Sequence, residues 1–220
     1  MSSHHIIKDD QEPALIIANG EPCYDEILGQ LLEWSPFVVV LDGAIFKVLE
    51  KNINVDLLLG DFDKSINFEE IKNLQSNIEI CQTPDQDKTD LEKAIEFLIK
   101  KGHKAANIVW ATGKRADHSI TNMTNMVRYK REIKLVMIDN FSKIFPIDKS
   151  FEKWYEKGTP ISLIPIGVAA GIETKGLKYN LDNEQLSLGF RSGNSNEANT
   201  DGFVSISYKS GELLLMECWD

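Results

Sequence analysis

At 220 residues, with 42% apolar and 26% charged side chains, the chain can build one large domain or two small ones and is too apolar for wholesale disorder. Its formal net charge of −10 argues against a nucleic-acid or anionic-membrane surface, so an anionic substrate would need local help from metal ions, Lys, Arg or backbone N–H groups. No run approaches the ~20 apolar residues of a membrane span, and the opening Met-Ser-Ser-His-His lacks a signal-peptide core, which makes the cytoplasm the expected compartment. His4 and His5 read as a frayed tail. Cys23, Cys81 and Cys218 form no C-x-x-C pair and read as reduced, packed thiols.

The first part alternates short apolar runs with helical patterns. Ala14 to Ala18 reads as a buried strand ending at Asn19-Gly20, and Tyr24 to Trp34 carries Ile27, Leu28, Leu31 and Leu32 at helical spacing. Phe37 to Leu41 is a second strand, ending at Asp42-Gly43, followed by a helix to about Lys51. Val55 to Leu59 is a third, ending at Gly60-Asp61-Phe62-Asp63. Unalternated apolar strands between helices are what a parallel sheet buried on both faces produces. Ile78 to Cys81 is extended and leads into Thr83-Pro84-Asp85-Gln86-Asp87-Lys88-Thr89-Asp90, where Thr89 and Glu92 make a capping box. The helix that follows turns Leu91, Ala94, Ile95, Leu98 and Ile99 to one face and stops near Gly102. Ile108 to Ala111 is a strand ending at Thr112-Gly113. Asp117 to Tyr129 is a helix with Ile120, Met123 and Val127 turned inward, and Leu135 to Ile138 is the last strand of this part.

Beyond about Asn140 the segments are short and extended: Ser142 to Ile147, Phe151 to Glu156, Ile161 to Ile166, Leu177 to Leu181, Gln185 to Leu188, Phe203 to Tyr208 and Glu212 to Glu217. Val204, Ile206 and Tyr208 alternate with Ser205 and Ser207, as in a half-buried antiparallel strand. The expected fold is α/β: a mostly parallel sheet with flanking helices over residues 1–140, then a β-sandwich-like antiparallel domain over 141–220.

The acids recur where the strands end. Asp42 follows the second strand, Asp61 and Asp63 the third, Asp90 opens a helix, and Asp117 follows the strand ending near Ala111. Ligands of open α/β sheets bind outside the carboxyl ends of strands. On an extended chain Asp61 and Asp63 would point the same way with Phe62 toward the core. Such oxygen-rich ligation suits Mg²⁺ or Mn²⁺ completed by substrate phosphates. Thr112-Gly113-Lys114-Arg115 supplies positive charge at a helix start, where N–H groups face a phosphate. Neither a P-loop nor a G-x-G-x-x-G fingerprint is present. His118 is a candidate for proton transfer.

Four segments together resemble the thiamin pyrophosphokinase family. Gly60-Asp61-Phe62-Asp63 is similar to its GDFDS motif, with Lys64 before Ser65. Thr83 to Asp90 is similar to its most distinctive motif, and Thr112 to His118 with Asn122 to its GGRxDH segment. Gly176 to Leu181, Leu188-Gly189 and Ser195-Asn196 resemble the thiamin-contacting region. The chain departs from the family at three points: DGGAN reads Asp42-Gly43-Ala44-Ile45-Phe46, the second Gly of GGR is Lys114, and S-T-S-N reads Gly193-Asn194-Ser195-Asn196.

The resemblance implies transfer of the pyrophosphoryl group of ATP to the hydroxyl of thiamin, giving thiamin diphosphate and AMP. It implies an α/β catalytic domain joined to a β-sandwich-like thiamin domain, in a homodimer. It further implies Asp61, Asp63 and Asp90 as ligands of Mg²⁺ with Asp42 in the same acidic group, and Asp117 as a further catalytic residue. Gln86, Thr89, Lys114 and Arg115 are then ATP contacts, and Gln86, Ser195 and Asn196 thiamin contacts. Tyr179 and Trp219 are candidate aromatic platforms for the thiazolium. The rival readings are a D-x-D metal-dependent nucleotide transferase and a non-catalytic thiamin or nucleotide sensor on the same scaffold.

Overall fold

The computed structural model describes residues 12–62, 67–85 and 87–219. His4, His5, Asp63, Lys64, Ser65 and Gln86 lie outside the described residues. The chain divides into two compact units, the first ending at Asn140 except for Met126–Arg128, which group with the second, Phe141–Asp220.

The first unit is α/β. Its strands are β1 (Ala14–Ile17), β2 (Val38–Leu41), β3 (Leu57–Gly60), β4 (Glu79–Gln82), β5 (Ala105–Val109) and β6 (Lys134–Ile138). They lie in the order β6-β5-β1-β2-β3-β4, every neighbouring pair parallel. The apolar runs fill this sheet because both faces are covered: β1, β2 and β3 are buried along their whole length. From β1 the chain works outward to β4, then returns to place β5 on the other side of β1. Between β1 and β5 the connections therefore leave in opposite directions, which opens a crevice at the carboxyl ends of those strands.

The helices are α1 (Asp25–Leu32), α2 (Ile45–Glu50), α3 (Phe68–Leu74), α4 (Asp90–Lys100) and α5 (Ala116–Tyr129), with a 3₁₀ turn at Asp42–Ala44 leading into α2. The capping box at α4 is formed: Glu92 N–H donates to Thr89 Oγ1 at 3.3 Å, and Thr89 N–H donates to Glu92 Oε2 at 3.0 Å. Helix α3 has no counterpart in the sequence reading. It buries only Ile71, and its start is set by Asn67, whose Oδ1 accepts from the N–H groups of Glu69 and Glu70. Helix α5 is rotated from expectation. Ile120 is 63% exposed while Asn122, Asn125, Met126 and Tyr129 are buried, because Asn122 Nδ2 donates to Ala111 O at 2.8 Å. A satisfied amide enters the interior with little penalty, so apolarity alone misidentifies the inner face.

The second unit is antiparallel, with two four-stranded runs. One has the order β12-β9-β14-β7 (Gly193–Glu197, Pro160–Pro165, Leu213–Cys218, Ser142–Pro146), the other β11-β10-β13-β8 (Glu184–Ser187, Val168–Lys175, Gly202–Ser207, Ser150–Tyr155). Val204, Ile206 and Tyr208 are buried, as their alternation predicts. A hydrogen bond of 2.7 Å from the Tyr155 hydroxyl on β8 to Glu217 Oε1 on β14 joins the two runs.

Leu177 to Leu181 is not a strand. Gly176 adopts φ +84°, and the segment closes into a loop on side chains: Leu181 N–H donates to Thr174 Oγ1 at 2.8 Å and Leu177 N–H to Asn180 Oδ1 at 3.2 Å. The strand in this stretch is β10, whose Ala169-Ala170-Gly171 carries a weak β signal and a bulge. Thr174→Val keeps the volume of this buried side chain but strips the acceptor from Leu181 N–H. We expect a loss of about 1–2 kcal/mol in urea unfolding, and no loss would show that the hydroxyl does not hold the loop.

Candidate active site

The carboxyl ends of β1, β2, β3 and β5 surround an open cavity of about 640 Å³, lined among others by Asn19, Gly20, Asp42, Asp61, Asp90, Lys93, Thr112, Lys114, Arg115 and Asn122. Backbone contacts draw its walls together. Gly20 N–H donates to Trp110 O, and Glu21 N–H donates to Thr112 O at 2.7 Å, lacing the turn after β1 to the loop after β5. A Cβ on Gly20 would collide with the carbonyls of Trp110 and Thr112, so only glycine permits this approach.

The floor is acidic. One carboxylate oxygen from each of Asp42, Asp61 and Asp90, all half-buried, lies within 4.8 Å of the others. Asp42 opens the 3₁₀ turn after β2, Asp61 follows β3 directly, and Asp90 is the first residue of α4. Phe62 N–H donates to Asp42 Oδ2 at 3.2 Å, and a Cβ on Gly60 would lie 2.6 Å from Asp42 Cγ. Gly60 thus makes room for that carboxylate. The donor set is hard oxygen, and ligands facing each other across an ion with ~2.1 Å bonds stand about 4.2 Å apart. Adjacent ligands stand closer, at about 3.0 Å, so the three side chains suit a small divalent cation in donor type and number, and would draw together around it.

Asp63 and Gln86 lie outside the described residues, so the pairing of Asp61 with Asp63 is not described. The extended geometry expected there does not hold at Phe62. Its φ is +55°, and its half-buried ring packs edge-on against exposed Phe68 at 5.0 Å instead of entering the core. The turn lets Phe62 N–H reach Asp42.

The opposite wall is basic. Lys114 Nζ donates to Asn19 O at 2.8 Å, and its ammonium is shifted below its usual value, by desolvation first and then by neighbouring Lys47. Arg115 is the N-cap of α5 and caps no N–H with its side chain. Asp117 does not join the acidic floor. Arg115 Nε and Nη2 donate to its two carboxylate oxygens at 3.1 and 2.5 Å, which holds this exposed acid down at about 2. His118 and Thr89 line the same cavity.

Ser195 and Asn196 lie on β12 in the second unit. Asn196 Oδ1 accepts from Tyr179 N–H at 3.1 Å and its Nδ2 donates to Tyr179 O at 2.8 Å. Ser195, at φ +57°, donates its N–H to Ser162 Oγ at 3.0 Å. A smaller hollow of about 200 Å³ is lined by Leu163, Tyr179, Leu181, Arg191 and Asn196 among others. Tyr179 is 63% exposed there, whereas half-buried Trp219 does not line it.

Sequence reasoning missed Lys93. It is 8% exposed, lines the cavity, and donates to Asp90 Oδ1 at 3.2 Å and Thr83 O at 3.1 Å. The only signal was its spacing three residues after Asp90 on a helix.

Crowding the acids has an electrostatic consequence. Burial first, then the charge of Asp90, lifts the Asp42 carboxyl above its ordinary value, against the N–H donors of Phe62 and Gly43. The folded chain then holds this proton at pH values where the unfolded chain has lost it. Asp42 therefore withdraws stability as pH rises from the ordinary carboxylate value through the raised one. Asp42→Asn is expected to raise the melting temperature of the ligand-free protein above that window and to flatten its decline. Thermal unfolding across about pH 4 to 8 reads this, and a lower melting temperature for the variant at neutral pH would refute it.

Residues 28–137 match the family model described as "Thiamin pyrophosphokinase, catalytic domain", and residues 146–213 match "Thiamin pyrophosphokinase, vitamin B1 binding domain". The chain is 30% identical to thiamine pyrophosphokinase of Bacillus subtilis (strain 168) over 218 residues, covering 93% of this chain and 98% of that one. It is 27% identical to thiamin pyrophosphokinase 1 of Caenorhabditis elegans over 212 residues, 89% of this chain and 85% of the relative. The fold is that of the Bacillus subtilis thiamine pyrophosphokinase crystal structure, with a TM-score of 0.82 at 24% identity, over 95% of this chain and 100% of the other.

Proposed function

Because the chain belongs to the thiamin pyrophosphokinase family, we propose that Asp42, Asp61 and Asp90 hold Mg²⁺ against the phosphates of ATP while the loop around Arg115 receives their remaining charge. The activity is that of an ATP:thiamin diphosphotransferase. The thiamin hydroxyl oxygen bonds to the β-phosphorus of ATP, the bond from that phosphorus to the oxygen bridging it to the α-phosphate breaks, and AMP leaves. The hydroxyl proton is released, so atoms and charge balance.

The observation that carries the reading is the close approach of three carboxylates in a cavity whose other wall is cationic. Bound among the aspartates, Mg²⁺ supplies positive charge that offsets the anionic phosphates and the departing AMP. The chain's own residues do the rest. The start of α5 lies at the cavity, lined by Arg115, His118 and Ser119, and Arg115 does not cap it with its side chain, which leaves N–H groups of the first turn for a phosphate. Lys114 adds a point charge from the same loop. Arg115 must share or leave Asp117 to contact phosphate, and because both are exposed this exchange is cheap. Thr89 fixes the start of α4 through its cap, and so acts on ATP through Asp90. On the family motif alone we assign Asp63 to the Mg²⁺ site beside Asp61, and Gln86 to nucleotide and thiamin contacts. Asp117 acts here by regulating Arg115. For thiamin, Asn196 works by holding the backbone of Tyr179, with Ser195 beside it. We infer a homodimer from the family motif, and a cytoplasmic setting from the sequence reading.

The test is direct. Incubated with ATP, MgCl₂ and thiamin, the protein should release AMP and thiamin diphosphate in equal amounts, and only when thiamin is present. ADP as the product, or tight thiamin binding without turnover, would overturn the proposal. Asp61→Asn with Asp63→Asn should abolish turnover, by at least a hundredfold on the scale of lost transition-state charge stabilisation, while leaving the melting temperature nearly unchanged. Collapse of the fold would mean these acids are structural.

A further inference from the structure

Among the described residues, Lys93 is the one cation that is buried. A buried ammonium is retained only where its charge and N–H donors are matched, and here they are matched at two places that meet at the acidic floor. Lys93 Nζ donates to Asp90 Oδ1 at 3.2 Å and to Thr83 O at 3.1 Å. Thr83 in turn donates its N–H to Gly60 O at 2.8 Å, at the end of β3 beside Asp61. One ammonium thereby links the carboxylate at the head of α4, the strand-exit loop after β4 and the end of β3. Asp42 is held separately, by the N–H groups of Phe62 and Gly43.

We propose that Lys93 is a positioning residue for the divalent-cation site: it fixes the rotamer of Asp90 and the distance between α4 and β3, so that the carboxylates stand in binding geometry before the ion arrives. This rests on the proposed role of Asp42, Asp61 and Asp90. Electrostatics and geometry predict opposite outcomes, which makes the idea decidable. A cation beside the ligands weakens their pull on a divalent ion, so if Lys93 were only a counter-charge, its removal would tighten binding. If it positions Asp90, removal loosens binding despite the charge gained.

The experiment titrates MnCl₂ into the nucleotide-free full chain by calorimetry, for the wild type, Lys93→Met, Lys93→Arg and Asp61→Asn. Lys93→Met is expected to weaken Mn²⁺ binding about tenfold, on the scale of losing an oriented ligand partner, and Lys93→Arg to recover most of it. In turnover the half-saturating MnCl₂ should rise in step while the KM for thiamin stays unchanged. Unchanged or tighter Mn²⁺ binding by Lys93→Met overturns the inference. Should that variant fail to fold, Lys93→Gln, whose amide can still donate to Thr83 O, is read against the same outcomes. If the wild type shows no Mn²⁺ binding that Asp61→Asn removes, the reading of the acidic floor falls instead, and this inference with it.

Discussion

Three carboxylates within 4.8 Å of one another repel, and the repulsion grows as burial lowers the local dielectric. The first unit spends its architecture on holding them there. Asp42 and Asp61 sit at the ends of parallel strands whose apolar runs are buried throughout, so their backbones cannot drift apart without unpairing the sheet. Asp90 stands in the first turn of α4, where the helix dipole favours negative charge, and its neighbour Thr89 locks that turn with a capping box. The raised Asp42 carboxyl records its burial first and, after that, the repulsion from Asp90 that remains. A ligand-free site of this kind is a strained anion cluster, and binding positive charge relieves it.

The sheet order explains why the opposite charge lies so near. Returning from β4 to place β5 beside β1 puts the β5–α5 loop across the crevice from the ends of β2 and β3. The acidic floor comes from the ends of β2 and β3 on one side of β1 together with the head of α4, and the basic wall follows β5 on the other side. On the proposed reading, a polyphosphate lying between them would meet the three carboxylates and their cation along one edge and Lys114 and Arg115 along the other. Gly20 and Gly60 are two points of close approach, where any side chain would strike a carbonyl or the Asp42 carboxylate.

Much of this was legible in the sequence because strand ends are legible. Buried apolar runs stop where the chain leaves the sheet, so an Asp after Val38–Leu41 or after Leu57–Gly60 must stand at the edge. Thr89 and Glu92 marked the start of α4 by local chemistry alone. The misses share a cause: they depend on partners distant in sequence. Lys93 reads as an ordinary charged helix residue until Thr83 is known to lie beneath it. The inner face of α5 is set by Asn122 reaching Ala111, which no apolar count finds. Arg115 and Asp117 look like two separate ligands, and side-chain geometry joins them into one pair. Leu177 to Leu181 has the composition of a strand, yet the side chains of Thr174, Asn180 and Asn196 take three of its N–H groups, and it joins its neighbour only through an isolated bridge.

The three departures from the family motifs are accommodated by the same logic of backbone demand. Ala44 stands where the family has glycine, but its φ is −103°, an angle any L residue adopts, and its methyl is wholly buried. At the β5–α5 loop the positive φ belongs to Gly113, at +88°. The position after it therefore carries no such requirement, and Lys114 can occupy it and reach Asn19 O. Gly193 replaces a serine in register with the family motif, and a Cβ there would meet Leu163 Cβ at 3.1 Å, so in this chain glycine lets β12 seat closely on β9. Ala44, Lys114 and Gly193 thus each meet the backbone demand of their position. It follows that motif identity is required where an oxygen or an N–H must be presented to a phosphate or a cation, and is negotiable where the motif only describes how one family's backbone happens to turn.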